Sequence, residues 1–485
     1  MDYSQFLSMW QETGLLIVFL CVFLFDTFAS RKALGALGWL TTGLFAVLTG
    51  FGFTTLFGQP ADAFSSMYQN TPATVLIKNI LNVGVLIVLI QSIRWADSEF
   101  QRIRRGEFYE LILLTLFGMY LMISAGHFLL FVIGLETASL PLAALVAFEK
   151  NKYESHEAAV KYILTAIFSS AIFMFGLSFV YGLCGSLYYS DIANALTKYM
   201  NSSLVMLIVA LAFVISGFAF KLSLVPMHLW TADVYQGAPT PVTSYLSVIS
   251  KGSAAFAFLV VLWQAFGQAY SMVWEWMLYG LIIATITIGN LFAMRQHNLK
   301  RFLAFSSVSQ AGYIMLGVIG FNSLSMGALM FYILVYIFSN LAAFGVVGAI
   351  ENATGKVDRD DYNGLYKTNP RLSVVMMLAM FSLAGIPPFA GFFSKFFIFT
   401  GALEVGTPAM YVLVLIALIN TIVSLYYYLL VVKAMFISPE EPRIAGFRSA
   451  ACERLGLWVC TAGIVLLGIV SYVYDWIMNA VTHSF

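Results

Sequence analysis

Charge is what this chain has least of. Asp, Glu, Lys and Arg make up 10% of its 485 residues, while apolar residues make up 60%. A soluble protein carries about a quarter charged residues, so a water-soluble fold of this length is excluded. Cysteine is also scarce: Cys21, Cys184, Cys452 and Cys460 are the four, with no CxxC or other ligand spacing. Neither a disulfide framework nor a metal or Fe–S site is implied, and the five histidines are scattered. No glycine-rich phosphate loop precedes a helix in a βαβ setting, so nucleotide binding has no support. The opening residues MDYSQFLSMW lack a basic stretch, and no cleaved signal peptide is expected. No nucleic-acid partner is expected either.

What remains is apolar runs of roughly 18 residues or more, the length that crosses a bilayer as a helix. Runs such as 204–220 are too long for the alternating strands of a membrane barrel. The pattern predicts an all-α membrane protein forming one polytopic domain over residues 1–485. Hydropathy gives fourteen spans, near 11–28, 34–58, 72–94, 108–125, 127–148, 157–183, 203–228, 240–266, 271–294, 300–320, 324–350, 371–402, 408–434 and 455–480. Of the 25 basic residues, nineteen lie in or beside connections that follow odd-numbered spans, beginning with Arg31 and Lys32. One, Lys198, follows an even-numbered span, and five lie within spans. Positive charge gathers on the cytoplasmic side. Both termini are therefore expected on the outer side, and the lipid bilayer is a partner by composition.

Two phrases recur. YILTAIFSS (162–170, span 6) returns as YILVYIFSN (332–340, span 11), and FKLSLVP (220–226, span 7) returns as FSLAGIP (381–387, span 12). Both pairs lie five spans apart. An odd offset reverses orientation, so the phrases predict two inverted five-helix repeats, spans 4–8 (about 108–266) and 9–13 (about 271–434), as in ion-coupled transport folds. Pro226 and the Pro387-Pro388 pair fall in corresponding spans. Proline withholds a backbone donor and frees carbonyls one turn back. Helices 7 and 12 are therefore expected to be broken near the midplane, where such breaks form ion sites.

Ionisable residues sit at that depth. Glu136 in FVIGLETASLPL is at least nine residues from either edge of span 5. Lys221, Lys251 and Lys395 each lie inside a span, at a cost of about 2.5–3.5 kcal/mol apiece at the bilayer centre. Such residues usually face the bundle interior and serve an ion pathway. The plainer alternative is a structural ion pair, Glu136 with Lys221 or Lys161. Lys78, near a span end, is expected to snorkel to the interface; for Lys161 spacing alone leaves both readings open. His228 and Asp233 border span 7 and could be ordinary loop residues. Burial favours a neutral amine and a neighbouring carboxylate favours the ammonium. A carboxylate at about 4 Å supplies ~4 kcal/mol at an effective dielectric of about 20. Moving one proton against roughly 180 mV needs ~4 kcal/mol. One travelling charge thus suffices to load or unload a buried lysine. Ser306, Ser307, Gln310 and neighbouring polar side chains, with water, would join the amines.

FKLSLVPMHLWTADVYQGAPTPV (220–242), GLETASLPL (134–142) and FSLAGIPPFAGFFSKFF (381–397) resemble the antiporter-like membrane subunits of complex I, the respiratory NADH:quinone oxidoreductase. The HLWxxDVYQGAPTPV wording is similar to the N branch of that family. The resemblance spans almost the whole chain and implies fourteen helices. It implies proton translocation by Glu136, Lys161, Lys221, Lys251 and Lys395. It implies no redox cofactor on this chain, with FMN, Fe–S clusters and quinone on other subunits. It also implies a bacterial inner membrane, with an antiporter-like M subunit and the small K subunit as neighbours. One departure is Gln310, where many relatives carry a histidine; glutamine orients water but does not titrate. The competing readings are a subunit of a multi-subunit sodium/proton antiporter, and a structural membrane subunit whose charges only lock helices together.

Overall fold

The computed structural model describes residues 5–30, 33–56, 61–99, 101–199, 204–267, 273–437, 441–470 and 472–484. Arg31 and Lys32 lie outside them, as do the predicted span margins at 57–58, 203 and 271–272 and residue 471; the side chain of Lys198 is likewise not described. Among the described residues thirteen helices are long and apolar enough to cross a bilayer. Two shorter apolar helices, Pro370–Ala384 and Ala390–Leu403, meet at the Pro387-Pro388 break and together form one more, giving fourteen. Helices are the form in which an apolar chain satisfies its own backbone in lipid.

Polar side chains mark where several helices begin. Asn322 accepts from Ser325 N at 2.7 Å, and Asn298 accepts from Lys300 N and Arg301 N. Such contacts occupy backbone donors that the first turn leaves unpaired. His127 Nδ1 accepts from Leu129 N at 2.9 Å. Burial pushes the His127 imidazole below its usual pKa, partly opposed by Asp191.

Span 10 (Leu299–Ile319) is buried along its length except at Arg301, and span 8 (Thr240–Gln264) nearly so. Spans 3 (Pro72–Ala96) and 11 (Ser323–Thr354) are mostly buried too and pack on this pair. Span 4 packs on 5, 6 on 7 and 9 on 10. Spans 1 and 2, span 6 (Tyr153–Cys184) and span 13 (Pro408–Ile437) are the least buried, and the last two turn Leu164, Phe168, Leu415 and Ile422 outward. Both termini reach the same end of the bundle. Phe64 N donates to Gln5 Oε1 at 2.8 Å and Ala73 N to Ser484 Oγ at 2.8 Å, so chain start and chain end both touch the 61–73 stretch. An even number of crossings requires this.

The structure corrects the sequence reading in five places. A small antiparallel pair, Ala61–Ala63 with Tyr68–Asn70, interrupts the all-helical pattern. Tyr189–Tyr199, in a stretch read as a connection, is a short amphipathic helix. Span 7 does not end at 228: beyond the break it resumes as Leu229–Gly237. The final predicted span is two helices, Ala451–Ile469 and Tyr472–Thr482, the first long enough to cross. Span 8 contains a π-helical turn, Leu246–Ser250, immediately before Lys251.

Candidate functional site: a buried file of amines and hydroxyls

Both proline breaks form as the sequence implied, and each frees carbonyls that find new donors. In span 7 the helix stops at Leu222, and Ser223 takes a left-handed backbone (φ +61°). Trp230 Nε1 donates to Phe220 O at 3.3 Å, and Val225 N donates to Thr285 Oγ1 at 3.0 Å. In span 12 the first half ends at Ala384, followed by Gly385 at φ +87°. The Lys395 ammonium returns from the second half and donates to Leu383 O at 3.0 Å and Ala384 O at 3.1 Å. The carbonyl end of a helix carries partial negative charge, which suits a cation there. The two halves meet closely: a Cβ on Gly391 would lie 1.7 Å from Ser382 O, and Gly391 N donates to Ser382 Oγ.

Lys221, Lys251 and Lys395 are all buried, at 5%, 1% and 4% exposure. None makes an ion pair within 4.0 Å among the described residues, so each holds its place by hydrogen bonds alone. Lys221 Nζ donates to Ser139 Oγ at 2.8 Å. Ser139 is one helical turn after Glu136, whose Oε1 is buried and unpartnered and whose charge acts on Lys221. The alternative of a locked Glu136–Lys221 or Glu136–Lys161 pair is therefore not what forms. Lys251 Nζ donates to Ser307 Oγ at 2.7 Å and lies 5.5 Å from the centre of the Tyr235 ring. Lys395 Nζ lies 5.0 Å from the centre of the Tyr313 ring.

Hydroxyls and one amide join these stations. Ser306, next to Ser307, shares a 2.6 Å hydrogen bond with the Tyr428 hydroxyl. Gln310 Nε2 donates to Tyr428 Oη at 3.1 Å and to Leu383 O at 3.3 Å, the carbonyl that Lys395 also holds. The Tyr332 hydroxyl donates to Gln310 Oε1. Gln310, Tyr332, Ser339, Ser382 and Lys395 border a cavity of about 10 Å³, near the smallest space that admits one water. Toward Lys221 the file is looser. The Tyr162 hydroxyl lies near Ser139 in the field of Glu136, and the Tyr235 hydroxyl lies near Ser307. Neither makes a well-formed hydrogen bond.

Other predicted residues fall elsewhere. Lys161 is half exposed and leaves the file. It pairs with Asp233 at 2.6 Å and Glu157 at 2.7 Å, and Asp233 also binds Arg301 at 2.6 Å. His228 is buried at the span 7 break, near the Pro226 carbonyl and in the field of Lys251, with no well-formed hydrogen bond from either ring nitrogen. Lys78 does not snorkel. It is fully buried and pairs with Glu12 at 2.6 Å. The loop 61–70 and the first helix cover it, which its distance from the helix start could not reveal. Sequence reading missed Ser139, whose signal was its place one turn after Glu136. It also missed the tyrosines, which at helical spacing look like ordinary core.

Comparison with known proteins agrees with this architecture. Residues 125–422 match the family model described as NADH:quinone oxidoreductase/Mrp antiporter, transmembrane. The chain is 53% identical over 478 residues to NADH-quinone oxidoreductase subunit N of Phocaeicola vulgatus, covering 98% of each chain. It is 35% identical to the protein of the same name from Trichlorobacter lovleyi, over 95% of this chain and 93% of the relative. Among solved structures it superposes on a chain of respiratory complex I from Thermus thermophilus with bound aureothin. That match has TM-score 0.81 and 28% identity, over 98% of this chain and 100% of the other. A chain of the Mrp complex from a Dietzia species shares the fold at TM-score 0.85 and 21% identity, over 98% of this chain and 97% of that one.

Proposed function

Because the chain belongs to the NADH:quinone oxidoreductase/Mrp antiporter transmembrane family, we propose that it is a proton-translocating membrane subunit of a respiratory NADH:quinone oxidoreductase. The observation that carries this is the buried file itself. Three ammonium groups without fixed counter-ions sit on or beside broken helices, and between two of them run hydroxyls and one amide, broken only at the step from Ser307 to its neighbour Ser306. Relatives named for the quinone reductase match along the whole length, whereas the likeness to the Mrp chain, at 21% identity, speaks of fold alone.

In this reading quinone reduction on other subunits displaces charge and alters the balance at Glu136. Lys221 releases its proton through Ser139, Tyr162 and Tyr235 toward Ser307 and Lys251. Lys251 in turn passes one through Ser306, Tyr428 and Gln310 to Lys395. Each amine gives up one proton and regains one, so no residue is consumed. Water fills the hops at Tyr162 and Tyr235. The Lys161–Asp233–Arg301 cluster lies at the end away from the termini and collects protons there. The two five-span halves, about 108–266 and 271–434, each contribute one broken helix. Basic residues favour outward termini in a bacterial inner membrane. FMN, Fe–S clusters and quinone belong to other subunits, and antiporter-like M and small K subunits are the proposed neighbours.

Lys221→Ala and Lys395→Ala, each in the complete complex, test the reading. Both complexes are expected to assemble. Proton uptake per electron in inverted vesicles driven by NADH is expected to fall. Wild-type ratios in both variants would defeat it. A charge-free double replacement of Glu136 and Lys221 that left translocation intact would favour a purely structural subunit.

A further inference from the structure

The deepest ion pair among the described residues is not in the central file. Glu12 on the first span and Lys78 on the third have side chains only 2% and 0% exposed, and their charged atoms are 2.6 Å apart. The Tyr68 hydroxyl, on the small hairpin, donates to Glu12 Oε2 at 2.8 Å and accepts from Lys78 Nζ at 3.2 Å. A buried pair adds little net stability, because desolvation offsets the attraction. Stability alone is therefore a poor reason for it. Its surroundings are also under-bonded. Gln11 and Asn79, chain neighbours of Glu12 and Lys78, bond each other (Nε2 to Oδ1, 3.1 Å) but leave Gln11 Oε1 and Asn79 Nδ2 buried without partners, and Ser124 Oγ near Tyr68 is likewise unpartnered. Natural interiors satisfy nearly all such atoms, often with ordered water.

Polar groups flank the cluster on both sides. Inward, Lys78 Nζ lies 5.4 Å from the centre of the Tyr120 ring, and the Tyr120 hydroxyl donates to Asn82 Oδ1. Tyr120 lies in the field of Tyr245, whose hydroxyl shares a 2.7 Å hydrogen bond with Thr115. Tyr245 immediately precedes the π turn that leads to Lys251. Outward, the strand of Tyr68 continues to half-buried Asn70, which donates to Ser8 O at 3.0 Å at the end where both termini lie.

We propose that Glu12, Lys78 and Tyr68 form a second proton-carrying site, an outlet from the Lys251 region to the face that bears the termini. The Lys78 ammonium gives its proton to the Glu12 carboxylate, leaving both groups neutral. Glu12 then releases that proton past Tyr68 to water, and Lys78 regains one from the inner file. This rests on the proton-translocating reading above and on its outward termini.

The test uses the assembled complex in inverted vesicles, with proton uptake per electron as the readout. The variants are the double Glu12→Leu/Lys78→Met, the single Tyr68→Phe, and Lys221→Ala as reference. The double variant removes both charges together and so leaves no orphaned ion. It is expected to assemble, transfer electrons to quinone and lose as much proton uptake as Lys221→Ala does. A wild-type ratio in the double variant, with a loss in Lys221→Ala, overturns the outlet and leaves the broader reading standing. A wild-type ratio in both overturns the broader reading and the outlet with it. If the double variant does not assemble, Tyr68→Phe decides, since it keeps the ion pair: a lowered ratio supports the outlet and an unchanged one overturns it.

Discussion

Replacing Gln310 with methionine removes three hydrogen bonds while leaving side-chain volume almost unchanged. The amide nitrogen loses Tyr428 at 3.1 Å and Leu383 O at 3.3 Å, and the amide oxygen loses the Tyr332 hydroxyl. Leu383 O keeps the Lys395 ammonium and Tyr428 keeps Ser306. Tyr332 is thus the group left without a hydrogen-bond partner among the described residues. One orphaned buried hydroxyl costs about 1–3 kcal/mol, and a near-isosteric swap adds less than about 1.5 kcal/mol. The complex is expected to assemble. The effect on transfer is larger in consequence. A proton crossing from Tyr428 to the Lys395 end loses one hydrogen bond to a charged group, worth about 1.5–3 kcal/mol. At 1.36 kcal/mol per tenfold in rate, that step slows roughly 10- to 150-fold. The assay is NADH-driven quenching of a pH-sensitive dye in inverted vesicles, divided by quinone reduction in the same sample. Gln310→His, which restores a polar and titratable group, is expected to recover most of the loss. A wild-type ratio in Gln310→Met would refute the file as drawn, because no other side chain described above links Ser306 to Leu383 O.

Two further outcomes follow from contacts at the other stations. Ser139→Ala removes the hydroxyl that holds Lys221 at 2.8 Å; proton uptake per electron is expected to drop severalfold with assembly unchanged, and Ser139→Thr to restore it. Gly391→Ala places a methyl group 1.7 Å from the Ser382 carbonyl and must push the halves of span 12 apart. Overpacking costs about 1–3 kcal/mol or more, so a lower thermal midpoint of the detergent-solubilised complex is expected, with Ser382→Ala not rescuing it because the clash is with backbone.

Much of this was legible in the sequence because it follows from cost. A lysine at bilayer depth is expensive wherever it occurs, so Lys221, Lys251 and Lys395 stood out, and the prolines showed where helices had to open. What stayed hidden depends on what lies across from a residue. Lys78 sits near a helix start, and only the fold shows Glu12 and the hairpin closing over it. Spacing left Lys161 open and only the resemblance set it among the translocating lysines; in the fold Asp233 draws it toward Arg301. Tyr162, Tyr235 and Tyr428 are large apolar rings by composition, and their hydroxyls acquire meaning only when a serine or amide faces them. The π turn before Lys251 left no sign, since its residues LSVIS suit an ordinary helix equally well.

That turn sets the aim of the central amine. Each residue of an ordinary helix advances about 100° around its axis, and a π turn fits one more residue into a revolution. Everything after Ser250 is therefore rotated relative to a regular winding. Relaxing Leu246–Ser250 to a tighter coil would swing Lys251 about a quarter of a revolution away from Ser307. Span 8 thus resembles a spindle with one slipped thread: rewinding it turns Lys251–Gln264 as a unit against its neighbours and disconnects the middle station.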